Sequence, residues 1–321
     1  MSNLEAEPVE FDCLPETSAG VEILEPRAVP LGGPRAMEVR RTLPQRARSL
    51  VGAWCFADHY GPVDLRTRPG MDVPPHPHTG LQTASWLFAG EIEHRDSAGV
   101  HAMVRPGELN LMTAGAGICH SEVSTAATQV LHGVQLWVAL PDSARHTDRG
   151  FDHYAPSPLT RSGATLRVFL GTLAGERSPV VTHTPLLGAQ IDLPVGAVLD
   201  LAVDPAFEHG LLLDSGGVTV GAVAVRQGEL AFVGVGAETL AIVNTGDTPA
   251  RAVLLGGTPF GEELLMWWNF VGRSHEEIVE FRAQWQGQSD RFGRVTGYRG
   301  TTEWLPAPPM PATRLRPRRN V

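Results

Sequence analysis

Two short stretches of this chain each set a pair of metal-ligating side chains two residues apart: His76-Pro77-His78 and His120-Ser121-Glu122. In a β-strand alternate residues point to the same face, so each pair delivers both donors to one side of a sheet. Three imidazoles and a carboxylate can then converge on one ion. Donors of this kind suit a divalent first-row metal, and four protein ligands in an octahedral shell leave positions for water, dioxygen or a substrate oxygen. Those open positions would make the centre reactive as well as structural.

The donors need strands to carry them, and most of the chain reads as strands. Its 321 residues include 35 Gly and 26 Pro, with short β-branched and aromatic runs between them, the pattern of many strands joined by tight turns. Thr83 to Phe88, Val134 to Leu140, Thr165 to Leu170 and Val218 to Val225 are expected strands. The expected class is all-β. One helix is expected near the end, where Ser274 as N-cap and Glu277 three residues on form a capping box, with Ile278, Phe281, Arg282 and Trp285 following at helical spacing. It should cover a sheet edge or barrel mouth, with Trp267 and Trp268 packed between it and a barrel. The proline-rich run from Leu305 to Pro311 is expected to be an extended tail, and Arg314, Arg316, Arg318 and Arg319 a solubilising cluster.

An internal echo suggests how the strands are grouped. Arg105-Pro106-Gly107-Glu108-Leu109 opens the segment leading to the second donor pair, and Arg226-Gln227-Gly228-Glu229-Leu230 repeats it in the second half. Carrying the same offset forward sets His120 on Ala241 and Glu122 on Val243, side chains that bind no metal. No His-x-His occurs in the second half. The reading is a duplicated chain with two barrel-like domains, only the first metallated. The expected boundaries are an N-terminal tail over 1–20, the metal-binding domain over 21–150, the second domain over 151–295 and a Pro/Arg-rich tail over 296–321, with the connection in Pro141 to Pro158.

Composition narrows the function classes. With 42% apolar and 19% charged residues the chain is globular, and a net charge of −9 argues against a nucleic-acid surface. Cys13, Cys55 and Cys119 are odd in number and form no C-x-x-C, which points to a reducing cytoplasm; Cys119, one pleat from His120, is expected in the core. Met1 to Asp12 has no apolar signal core and no long uncharged apolar run follows, so neither export nor a membrane span is expected. His59 is read as a hydrogen-bonded structural residue, and Met112 as lining the metal barrel. His94 and His101 flank the hairpin 96–99 and are expected in solvent. No P-loop, G-x-G-x-x-G, G-x-S-x-G or H-E-x-x-H is present.

The runs His76-Pro-His78-Thr79-Gly80-Leu81-Gln82-Thr83 and Met112-Thr113-Ala114-Gly115-Ala116-Gly117-Ile118-Cys119-His120-Ser121-Glu122, with Gln135-Leu136-Trp137-Val138 after them, resemble the signature segments of pirins, a branch of the cupin superfamily. The resemblance spans roughly Val39 through Trp285. It implies two antiparallel double-stranded β-helix (cupin) barrels with one metal in the first, held by His76, His78, His120 and Glu122. The ion it implies is iron, as Fe(II), with Zn, Mn, Ni and Co as competitors. It further implies dioxygen and a small aromatic substrate, as in pirins that act as quercetin 2,3-dioxygenases, with Glu122 as ligand and general base. The alternative it carries is an iron-dependent regulator that docks on a protein partner. Two departures stand out: Gln82 where many pirins have Glu, and Ala116 where many have Arg.

Overall fold

The computed structural model describes residues 2–3, 20–32, 37–318 and 320. Alternation writes two faces on each strand, and the apolar or ligand-bearing face must be buried against another sheet. In the first half, an eight-stranded sheet runs in the order Ser2–Asn3, Arg27–Gly32, Glu38–Leu43, Trp54–Asp64, Val130–Ala139, Leu81–Ala89, Leu109–Thr113 and Gly150–Tyr154. A four-stranded sheet, Asp72–His78, Ile118–Ser124, Ile92–Asp96 and His101–Val104, packs on it. The second half repeats the plan with seven strands against four. The strand pairings are antiparallel throughout, so the class is the all-β, two-barrel arrangement expected.

The echo marks equivalent turns. Gly107 and Gly228 both adopt positive φ, 73° and 85°, and each opens a strand, Leu109–Thr113 and Leu230–Val233. The offset then slips by one residue. Ala241 and Val243 lie half-exposed, whereas Leu240 and Ile242 face inward with Leu199 and Leu201. Such a slip exchanges the faces of a strand. At these positions the second barrel holds an apolar core where the first holds histidines.

Three expected strands fall on Leu81–Ala89, Val130–Ala139 and Ala164–Leu170, the second ending one residue before the expected Leu140. The run Val218 to Val225 is instead a hairpin, Val218–Val220 and Val223–Val225, turned at Gly221 with φ 57°. Within the expected connection, Gly150–Tyr154 extends the first large sheet. Early in the chain, Val21–Leu24 pairs with Leu230–Val233 in the second half's sheet.

The halves are joined through apolar contact. Trp86 stacks on Phe169 at 4.5 Å and donates its indole N–H to Gln190. The Trp54 indole reaches the carbonyls of Leu187 and Gly256 at 3.1 and 3.2 Å.

The helix is His275–Gln286, and Ser274 caps it by accepting from the Glu277 amide at 3.2 Å. Glu277 in turn accepts from the Arg273 amide, one residue before the cap. Ile278, Phe281 and Trp285 are buried in one cluster with Trp267, Trp268 and Phe270, worth roughly 1.5–3 kcal/mol for each large apolar side chain removed from water. Arg282 donates instead to Pro308 O at 2.6 Å.

The tail is extended, as expected, but its reading as a free solubilising segment is corrected. Leu305 N donates to Pro75 O, Trp285 donates to Leu305 O, and Leu264 and Arg318 exchange two backbone hydrogen bonds at 2.7 Å. Arg314 pairs with Glu276. Prolines offer carbonyls without N–H groups, so such a segment is held by donors from the body it crosses. Arg319 and Cys13 lie outside the described residues.

Candidate metal centre

His76 and His78 end the strand Asp72–His78, which pairs with Ile118–Ser124 so that His120 lies opposite His76. All three imidazoles are fully buried. Their ring centroids are 4.3 to 5.1 Å apart, and one nitrogen from each lies within 4.8 Å of the other two.

Hydrogen bonds assign the proton on each ring. A carbonyl oxygen only accepts, so the nitrogen facing it carries hydrogen. His76 Nδ1 sits 2.9 Å from Pro74 O and His78 Nδ1 3.1 Å from Asn269 O. His120 Nδ1 sits 3.4 Å from His94 Nδ1, and His94 Nε2 is 3.2 Å from Asp96 Oδ2. The carboxylate accepts a hydrogen bond from His94 Nε2–H, so the proton stays on Nε2 and His94 Nδ1 is left to accept from His120. In all three rings Nε2 is thereby a bare lone pair.

His78 Nε2 and His120 Nε2 face each other at 3.1 Å, and His76 Nε2 is buried with no hydrogen-bond partner. Lone pairs at that separation repel unless a positive charge sits between them. Burial, and for His76 and His120 the neighbouring imidazoles, holds these histidines well below the ordinary range, which keeps the neutral form that binds metal. The donor set, its orphaned nitrogen and its oriented outer hydrogen bonds fit a divalent cation.

Glu122 is also fully buried, but its carboxylate groups with His120 and His94, not with His76 and His78. The cause is local. Pro74 and Pro75 offer no N–H to the ladder, and the register shifts by a residue between His120 and Glu122. Sequence spacing expects four donors in one set; the structure brings three together and sets Glu122 beside His120, where Ser85 Oγ donates to it at 3.4 Å.

His94 corrects the solvent reading. It is buried, at 3% exposure, while His101 is exposed and pairs with Glu93. The burial of Ile92–Asp96 alternates, with Ile92, His94 and Asp96 inward, and their common phase was the clue in the sequence. Gln82 lies one pleat from Thr83 and Ser85, so its amide faces the other side of its strand and donates to Thr113 Oγ1. An uncharged residue there takes nothing from the centre. Near Ala116, its carbonyl accepts from Arg291 at 2.8 Å, so a guanidinium still abuts this loop.

Cys119 is buried on the opposite face, as expected, and burial pushes the Cys55 thiol up to about 12. Met112 is buried in register with Thr83, itself opposite Trp137. The Trp137 ring meets His78 edge-on at 5.1 Å.

A second cluster lies between the halves: Asp214 Oδ1 is 2.7 Å from His59 Nε2 and 2.5 Å from His132 Nε2. Here Arg40 Nε donates to His59 Nδ1 at 3.3 Å, which puts the His59 proton on Nε2 and makes it a donor to Asp214. This agrees with the structural role expected for His59.

Comparison with known proteins returns one family twice. The Pirin model matches residues 36–138 and the Pirin C-terminal cupin domain matches 188–293. A Pseudomonas aeruginosa protein provisionally named a quercetin 2,3-dioxygenase is 44% identical over 286 residues, 89% of each chain. Human Pirin is 30% identical over 71% of this chain and 80% of its own. The crystal structure of quercetin 2,3-dioxygenase from Acinetobacter baumannii superposes with a TM-score of 0.87 at 36% identity, covering 92% of this chain and 97% of that one.

Proposed function

Because the chain belongs to the pirin family and carries both of its cupin domains, we propose that it is a mononuclear iron protein acting as a quercetin 2,3-dioxygenase-type oxygenase on a flavonol or phenolic substrate. His76, His78, His120 and Glu122 hold the ion in this reading. The observation that carries it is the trio of buried Nε2 lone pairs, two of them 3.1 Å apart, with every Nδ1 already committed elsewhere. The names of the 44% and 36% identical relatives support the reaction class.

When bound, Fe(II) supplies a Lewis acid and open positions for dioxygen and a substrate oxygen. The chain's own residues do the rest. Glu122 accepts the proton of the substrate hydroxyl, and the single Ser85 O–H, shared between Gln135 Oε1 at 2.9 Å and Glu122 Oε1 at 3.4 Å, sits against that carboxylate. The hairpin Leu265–Trp267 and Phe270–Gly272 presses its turn on His78 through Asn269 O, which fixes the ring and excludes water.

The test is anaerobic reconstitution with iron, metal analysis of anaerobically purified protein, and oxygen uptake across a panel of flavonols and simpler phenols. Uptake that requires iron and disappears in His76→Ala is expected. An iron-loaded sample that consumes no oxygen with any of them removes the catalytic reading, and purification with zinc alone removes iron.

A further inference from the structure

A cluster of aromatic side chains lies beside the metal cage and outside it. A cavity of about 310 Å³ opens between the rim of the first barrel, the hairpin that covers His78 and the C-terminal strap over 311–318, at the lower end of the ~300–1,000 Å³ usual for small-molecule sites. Its walls include Phe56, Trp137, Trp267 and Trp268. None of His76, His78, His120 and Glu122 lines it. Trp137 is the shared partition, lining the cavity while its ring meets His78 edge-on.

We propose that this strap-roofed cavity binds an aromatic carboxylate. The charge of the lining sets the sign: Arg41, Arg314, Arg316 and Arg318 contribute to it and no Asp or Glu does. Asp58 meets Arg41 and Glu276 meets Arg314, whereas Arg316 has no ion-pair partner among the described residues. A cation without a partner beside stacked aromatics (Phe56 on Trp137 at 4.0 Å) suits a ring that carries an anionic group.

Two further observations point to a ligand. Trp137 and Trp268, each 1% exposed, have indole N–H groups without an acceptor, and buried donors are rarely left so. Trp268 also holds φ at 53°, a conformation costly for a bulky side chain and one that collects at ligand-binding sites. The strap is tied at one end by the Leu264–Arg318 pair and by Asn320, which accepts from the Ser49 and Leu50 amides at 3.0 and 2.9 Å. It therefore closes the cavity with residues that the ligand itself contacts.

The proposal goes beyond the oxygenase reading and does not depend on it, because binding is measured without turnover. Full-length protein, metal-free and iron-loaded, is titrated with 2-naphthoate and with neutral 2-naphthamide, following tryptophan fluorescence. Naphthoate should bind more tightly in both metal states. Arg316→Glu should weaken naphthoate about fivefold while leaving naphthamide unchanged, the size set by one partly exposed charge pair. Truncation after Met310 should weaken both by removing the roof, with a retained cooperative melting transition and an unchanged far-UV circular dichroism spectrum checking the fold. Equal affinity for the two probes, or a naphthoate affinity indifferent to Arg316→Glu, overturns the proposal whether or not oxygen is consumed. Absent oxygen uptake with selective naphthoate binding sinks only the oxygenase reading.

Discussion

An imidazole binds a cation only through a ring nitrogen that carries no proton, so the residues that fix the other nitrogen matter as much as the ligands. For His120 that residue is His94, backed by Asp96. Replacing His94 with Leu should keep all three Nε2 donors yet lower metal affinity roughly 10–100-fold, the usual cost of losing an outer hydrogen bond to a ligand. Competition with a chelator measures it; an unchanged affinity would show that His120 needs no partner at Nδ1. The ligand types and spacing were legible in the chain. His94 shows there only through its phase with Ile92 and Asp96, because a histidine beside a hairpin tip is solvent-facing or buried according to the sheet behind it.

At the scale of elements, the hairpin Leu265–Trp267 and Phe270–Gly272 decides how the metal strand ends. Gly80, at φ 67°, turns the chain directly beneath it, and a Cβ there would collide with Val271 O. That carbonyl belongs to a strand bridged to the metal strand: Thr79 pairs with Phe270, and Val271 N donates to Thr79 O at 3.1 Å. Gly80→Ala should cost about 1–3 kcal/mol through the strained φ and the forced shift, and it should loosen metal binding as Asn269 O moves from His78. Urea denaturation with and without metal separates the two effects; unchanged stability in both would mean the hairpin yields freely. The capping box foretold the helix because capping is local. The hairpin's docking was not foretold, since its partner lies nearly two hundred residues away in the chain.

For the whole molecule, the cluster His59, His132 and Asp214 bolts the two halves together, faced by Arg40 and by Arg251 at 3.4 Å from Asp214. Burial holds His59 below the ordinary histidine range, and Arg40 adds to this against the opposing hydrogen bond to Asp214. For Asp214, burial pushes upward but hydrogen bonds from His132 and His59 more than offset it and hold the carboxyl low. Both shifts have the same consequence. Unfolded His59 takes up a proton below about 6.5, and unfolded Asp214 does so below about 3.9, each before its folded counterpart, so stability falls with pH across both windows. Metal-free protein should lose stability from pH 7 to pH 5, with a shallower slope in His59→Gln. Parallel slopes in urea midpoints would assign the acid sensitivity elsewhere.

What the sequence determined by itself was whatever depends on neighbours along the chain. Alternation put His76 with His78 and His120 with Glu122, Ser274 and Glu277 started the helix, and the repeated turn marked two barrels with both donor pairs in the first. What only the tertiary structure decided depends on which faces meet. It decided the tautomers set by Pro74, Asn269 and His94, the bulge that moves Glu122 aside, the one-residue slip in the second barrel, the latch between halves and the strap over the aromatic cavity. The periodicity of a strand fixes where its side chains point, but long-range pairing fixes what they point at.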